Sequence, residues 1–240
     1  MDLQGIDWFD KMLRPLLENQ SIAGSFTKFV AKKTDSLLSR YITIDSIQRD
    51  PLFRFLTPDP EQVIEDKKPG YWVCKYSPKQ IVPAGFCLYR MKQIKELKLH
   101  KRKKFMELDT LSLYLKAGKN HFAYVPSAGI HHPFLRSIRE LIRKRIRNLK
   151  TQFFNQPQNR EFTWIDFNDR KDLVKIIIWV LYANSFLLPF LVGLRRFIKF
   201  RNVIAIYEPV IVWVTTNLII TIFLFSKEGR GLMVKSLKNK

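Results

Sequence analysis

The sequence predicts an α/β domain followed by two apolar helical segments. Three observations carry this. Across residues 1–133, helix-like and strand-like apolar patterns alternate. The run Ile176–Leu194 holds nineteen residues without a charge. Beyond Pro209, sixteen more uncharged residues follow before Ser226.

In chain order, Trp8–Glu18 repeats apolar residues near helical spacing and predicts an amphipathic helix. Ser21–Val30 predicts a short strand, and Asp35–Tyr41 a second helix with Asp35 as its N-cap. Gln48–Gly70, rich in proline and charge, predicts a long surface loop. Tyr71–Cys74 and Gln80–Tyr89 are strand-like, and Met91–Lys98 predicts a short helix. Leu111–Ala117 has a helical pattern that stops at Gly118, with Asp109 placed as a cap before it. His121–Val125 predicts a strand, Pro126–Gly129 a turn, and a helix from about Phe134 to Phe154 follows.

That last helix places Leu135, Ile138, Leu141, Ile142, Ile146 and Leu149 on one face. Arg136, Arg139, Arg143, Lys144, Arg145, Arg147 and Lys150 occupy the rest, against Glu140 alone. Two placements satisfy the pattern: a helix in a membrane interface, or one packed on the domain with a solvated basic face.

The apolar segments, near 173–194 and 203–225, are long enough to cross a hydrocarbon core of about 30 Å. The connection between them holds Arg195, Arg196, Lys199 and Arg201. Nine Lys and Arg flank the segments on the domain side, four in the connection, so the domain and both termini are expected on the cytoplasmic side. A re-entrant hairpin whose connection stays on that side is the alternative. The expected organisation is 1–133 domain, 134–170 basic helix and linker, 171–226 two-helix membrane hairpin and 227–240 basic tail.

Forty-two Lys and Arg against twenty-one Asp and Glu leave a formal charge of +21, which attracts polyanions. The apolar C-terminal third selects anionic lipid over nucleic acid. Cys74 and Cys87 lie in strand-like stretches and read as reduced core residues. The first fifteen residues lack the pattern of a signal peptide. Zinc-type ligand spacing, a Gly-rich phosphate loop and a Gly-x-Ser-x-Gly elbow are absent, and the histidines are His100, His121, His131 and His132.

The order of pieces is more specific. A strand carrying Ala84-Gly85-Phe86 and Arg90 precedes Glu107-Leu108-Asp109, the stretch TLSLYLKAG, the strand HFAYVP, His131, the helix IRELIRKRIRN and the apolar segments. This resembles the acceptor-side half of membrane-bound family 2 glycosyltransferases over nearly the whole chain. DWFDKMLRPLLENQSIAG resembles the helix and strand that follow the family's metal-binding Asp-x-Asp.

The resemblance implies a partial GT-A-like fold, without the nucleotide-binding half. It implies transfer of a sugar from a nucleotide-sugar to a lipid-linked or cell-envelope acceptor, assisted by Mg²⁺ or Mn²⁺. Asp109 is the expected general base and Glu107 the second candidate; His131 is the expected metal ligand. Arg143, Lys144 and Arg145 are expected on a lipid phosphate or pyrophosphate. The departures are clear. Only Asp2 stands near the place of the Asp-x-Asp, and Asn148 stands where the family's processive synthases carry Trp. The chain is therefore expected to be a piece of a longer or split enzyme, inactive without a separate donor-binding half. The other expectation is a membrane-anchored basic module that binds anionic lipid or a partner protein without catalysis.

Overall fold

The computed structural model describes residues 2–45, 51–56, 60–78, 80, 82–83, 87–99, 107–133, 135–154, 161–162 and 169–231. The chain divides into two compact units, Met1–Asp35 with Ile42–Phe134, and Ser36–Tyr41 with Leu135–Lys240.

The first unit is a mixed α/β layer. Its strands are β1 (Asp2–Leu3), β2 (Ile22–Val30), β3 (Ile64–Lys68), β4 (Tyr71–Lys75), β5 (Leu88–Tyr89) and β6 (His121–His131). They form one sheet in the order β3-β4-β6-β2-β5, with β1 also paired to β6. Only β2 and β6 run parallel, and this central pair is buried on both faces. Successive residues of β6 alternate between two cores, Phe122 and Tyr124 on one side, Ala123 and Val125 on the other. The helix α1 (Trp8–Glu18) fills the second core with Trp8, Met12 and Leu16. The helix α5 (Glu107–Lys116) fills the first with Leu111, Tyr114 and Leu115. Burial of each such side chain contributes roughly 1.5–3 kcal/mol. Short helices α3 (Pro51–Leu56) and α4 (Met91–Glu96) lie in the connections, whereas α2 (Leu37–Ile42) falls almost wholly in the second unit.

Several expectations are corrected. Within the expected loop 48–70 the chain forms α3, a 3-10 turn at Pro60–Gln62 and strand β3, hairpinned to β4 through Gly70 at φ +94°. Its residues IEDKK carry no apolar alternation because it is an exposed edge strand. The expected turn at 126–129 is a bulge, and β6 continues through it to His131. The Thr27 hydroxyl lies 2.7 and 2.6 Å from the carbonyls of Val125 and Ala128, and Trp8 Nε1 donates to Ala128 at 2.8 Å. These partners satisfy the bulge from within the unit. Ser36, not Asp35, caps α2, accepting from the Ser39 N–H at 3.1 Å. The expected strand 80–89 is seen only at Leu88–Tyr89; residues 84–86 and His100 lie outside the described residues. Both cysteines are free, and burial pushes the Cys74 thiol up to about 12.

The second unit is helical. The helix α6 (Ile138–Asn148) ends in a π turn at Leu149–Phe154. Its Ser137 accepts from Glu140 N–H at 3.2 Å while Glu140 accepts from Arg136 N–H at 2.7 Å. Leu141 and Leu149 are buried, so the unit itself covers part of the apolar face. After α7 (Arg170–Asn184) come α8 (Leu187–Phe200), a 3-10 turn (Val203–Tyr207) and α9 (Glu208–Phe225).

The first apolar segment is not one helix. It breaks at Ser185–Phe186, where α7 and α8 meet at 81°. Asn184 donates to Val180 O, the Ser185 hydroxyl donates to Tyr182 O and accepts from Leu188 N–H, and Phe186 takes φ +53°. Short polar side chains thus replace the continuing backbone ladder. Arg195, Arg196 and Lys199 lie within α8 rather than in a connecting loop. Among the described residues, Val203–Phe225 alone is long and apolar enough to cross a membrane.

Candidate functional site

The most connected polar cluster of the first unit surrounds His131. Strand β1 pairs antiparallel with the end of β6, with Asp2 opposite His131. Gln4 N–H donates to the Gly129 carbonyl at 3.0 Å, and a Cβ at Gly129 would stand 3.1 Å from Val30 Cγ1. On the other side β2 places Val30 beside His131, and the chain turns at once through Lys32 to Asp35.

His131 Nδ1 lies 3.2 Å from Asp2 Oδ2, and its Nε2 lies 3.0 Å from Asp35 Oδ2. Lys32 Nζ reaches the same Asp2 oxygen at 2.9 Å, and Lys32 N–H donates to Asp35 Oδ2 at 2.7 Å. Hydrogen bonds from Lys32 and then His131 hold Asp2 down at about 2. For Asp35 the largest influence, burial, raises its carboxyl, but the Lys32 N–H and His131 together outweigh it and lower the group. Both carboxylates therefore stabilise the fold above the ordinary value of 3.8, and the contribution is lost as pH falls below it, for Asp2 down to about 2. An acid titration followed by the fluorescence of Trp8, whose indole is tied to Ala128, should show a transition in that window. Asp2→Asn with Asp35→Asn should flatten it; an unchanged transition would remove the cluster from the acid response.

A neutral imidazole donates from one nitrogen and accepts at the other. It therefore bonds one of these carboxylates, and the second contact needs a proton or a metal ion between its atoms. With Asp35 accepting from Nε2–H, Nδ1 carries a lone pair facing Asp2, a state distinct from the one in which Nδ1–H donates to Asp2. Among the described residues, no group of three or more His, Cys, Asp and Glu is placed to hold a metal.

The acidic pair expected at a helix start stands elsewhere. Helix α5 begins at Glu107, so Asp109 is its third residue rather than its cap. Asp109 is buried in the first turn, where the helix dipole favours a carboxylate. Glu107 accepts from the Tyr89 hydroxyl at 3.3 Å. Tyr89 lies on Gly24, where a Cβ would meet Leu88 O at 2.9 Å, and burial raises its phenol well above the ordinary value. Gly24 and Val30, the β2 residues beside the two clusters, are six positions apart, on the order of 20 Å along a strand. The His131 and Glu107 groups are thus two clusters on one sheet.

Arg90 is structural. Its Nε donates to Ile22 O at 2.9 Å and a terminal nitrogen to Asn19 O at 2.8 Å and to Leu16 O, closing the α1–β2 corner. In the second unit Arg143 is exposed, while Lys144 and Arg145 are half-buried and Lys144 pairs with Glu140 at 3.1 Å. Sequence reasoning missed Lys32 and the role of Asp35, because an acid before a helix reads first as a cap. It also missed Arg196–Glu208, joined at 2.6 Å inside the helical unit. Comparison with known proteins returns nothing: no family model, no curated protein and no solved structure matches this chain.

Proposed function

We propose that this chain is the acceptor-side half of a membrane-seated glycosyltransferase, GT-A-like and related to family 2. It would transfer sugar from a nucleotide-sugar to a lipid-linked or envelope acceptor at the cytoplasmic face. The observation that carries the reading is the Asp2–His131 pair at 3.2 Å. Asp2, which stands near the place where the family's Asp-x-Asp is missing, lies beside His131, the metal ligand the resemblance implies. Asp2 and His131 would hold the divalent ion, which neutralises the leaving diphosphate. Asp35 would keep the His131 ring in place, and Lys32, now paired with Asp2 at 2.9 Å, would have to leave that carboxylate to meet a phosphate oxygen. Asp109 would take the acceptor's proton at the start of α5, with Glu107 beside it, once the two clusters are spanned by donor and acceptor together. Arg143, Lys144 and Arg145 would meet lipid phosphate or pyrophosphate. The nucleotide-binding half would come from a separate segment or polypeptide.

Membrane seating is supported by apolar surface. On α7 and α8, Ile177, Leu181, Leu187, Leu191 and Ile198 are each at least half exposed. The second reading, a basic lipid- or protein-binding module, is favoured by the exposed cations Arg136, Arg139, Arg143 and Arg147. One assay separates them. The chain is combined with a nucleotide-binding half, and transfer from a panel of nucleotide-sugars to membrane acceptors is followed with and without a chelator. Chelator-sensitive transfer is expected. No transfer from any donor, or transfer indifferent to chelation, rejects the glycosyltransferase reading.

A further inference from the structure

We propose that the helical unit inserts into one bilayer leaflet from a single face, and that no helix in it crosses. The inference deepens the membrane reading and is independent of glycosyl transfer.

The case starts with the two ends of α9. At its start Glu208 is fully buried, accepting from Arg196 Nη1 at 2.6 Å and from the Tyr41 hydroxyl at 2.7 Å. Tyr41 belongs to the segment Ser36–Tyr41, which is tied to the entry of α6: Ser36 donates to Leu135 O, and Leu135 N–H donates to Ser39 at 3.0 Å. Near its far end, the Phe223 ring meets Phe154 edge-on with centroids 5.4 Å apart. Between these points α6 packs directly on α9. The basic helix therefore packs beside α9, and its π turn meets α9 near its far end.

Arg139, Arg143, Lys144, Arg145 and Arg147 lie on that accompanying helix. If α9 crossed while packed this way, the row of cations would enter hydrocarbon. A row of this kind belongs at the headgroups, against anionic lipid. That holds α9 level, just beneath it. In its first half α9 has a buried side, with Ile211, Val212, Thr215 and Thr216, opposite the open Val210 and Trp213; its last turn is open at Leu224 and Phe225.

The α7–α8 pair leads to the same place. Its apolar arms, Ile176–Asn184 and Leu187–Leu194, are nine and eight residues long. At 1.5 Å per residue and an 81° bend, their combined reach is about 20 Å, short of a core of about 30 Å. Arg170, Lys171 and Lys175 stand at one end, Arg195, Lys199 and Arg201 at the other. Both ends remain with the headgroups and the apex enters the leaflet. The partner that fits this surface is one leaflet with anionic headgroups.

The test uses the full chain in cells, with Cys74 and Cys87 replaced by serine. Lys171→Cys, Lys199→Cys and Lys227→Cys, all at exposed positions, are treated with a membrane-impermeant maleimide before and after lysis. All three should label only after lysis. Labelling of Lys227→Cys in intact cells, with Lys171→Cys protected, means that α9 crosses and overturns the proposal. Labelling of Lys199→Cys in intact cells means that the bent pair crosses and overturns it equally. A Phe154→Cys/Phe223→Cys pair should cross-link in membranes through a short bismaleimide, and its failure there also counts against the flat placement. Release of the chain by carbonate would reject membrane seating itself, which the labelling pattern alone does not do.

Discussion

Arg196→Leu is expected to destabilise the helical unit by about 3–5 kcal/mol, because it strands the Glu208 carboxylate where water cannot reach. Arg196 is 7% exposed and Glu208 0%; the two are joined at 2.6 Å, and Tyr41 also donates to Glu208. The guanidinium also stands 5.1 Å from the centre of the Tyr41 ring, so its loss removes packing as well as charge. The double variant Arg196→Leu/Glu208→Leu should recover most of the loss, since two apolar side chains need no pairing. Tyr41→Phe removes one hydrogen bond to a charged group and should cost about 1.5–3 kcal/mol. Thermal unfolding in detergent, followed through the buried Trp179, reads all three. If Arg196→Leu melts with the parent chain, the ion pair does not hold α8 against α9.

Asp109→Asn should lower turnover of the completed enzyme by about 10²–10⁴-fold, the usual contribution of a general base. Asparagine keeps the size and polarity of the side chain in the first turn of α5, so the fold should be preserved. It has no basicity with which to take the acceptor's proton. Glu107→Gln is the comparison, because Glu107 starts the same turn and is engaged by Tyr89. It should have the smaller effect. If Glu107→Gln abolishes turnover and Asp109→Asn does not, the base is Glu107. If neither changes turnover, the acidic stretch is not the site, and the basic-module reading becomes the better account of the chain.

Much of the framework was legible in the chain because local pattern and tertiary environment agree. The α1 helix follows its apolar spacing from Trp8 to Glu18, and the central β2–β6 pair follows runs of apolar residues that are buried on both faces. Gly118, at φ +73°, ends α5 as its sequence position implies. The reduced cysteines and the uncharged runs needed only composition. The candidate site was less legible. His131 and Asp109 are candidates from order along the chain alone, and the pattern did not show that Asp35 turns away from α2 to His131.

By itself the sequence determined the α/β alternation, the basic excess and the apolar character of residues 176–194 and 209–225, since each depends on neighbours in the chain. Only the tertiary structure decided the rest. Strand β3 exists because a hairpin partner supplies its hydrogen bonds, and the bulge at 126–129 stays in β6 because Thr27 and Trp8 satisfy it from elsewhere. Arg196 counts as a loop charge in the sequence and as half of a buried ion pair in the fold, because its partner Glu208 lies twelve residues away across a turn. Such partners are set by three-dimensional contact, which no local pattern encodes.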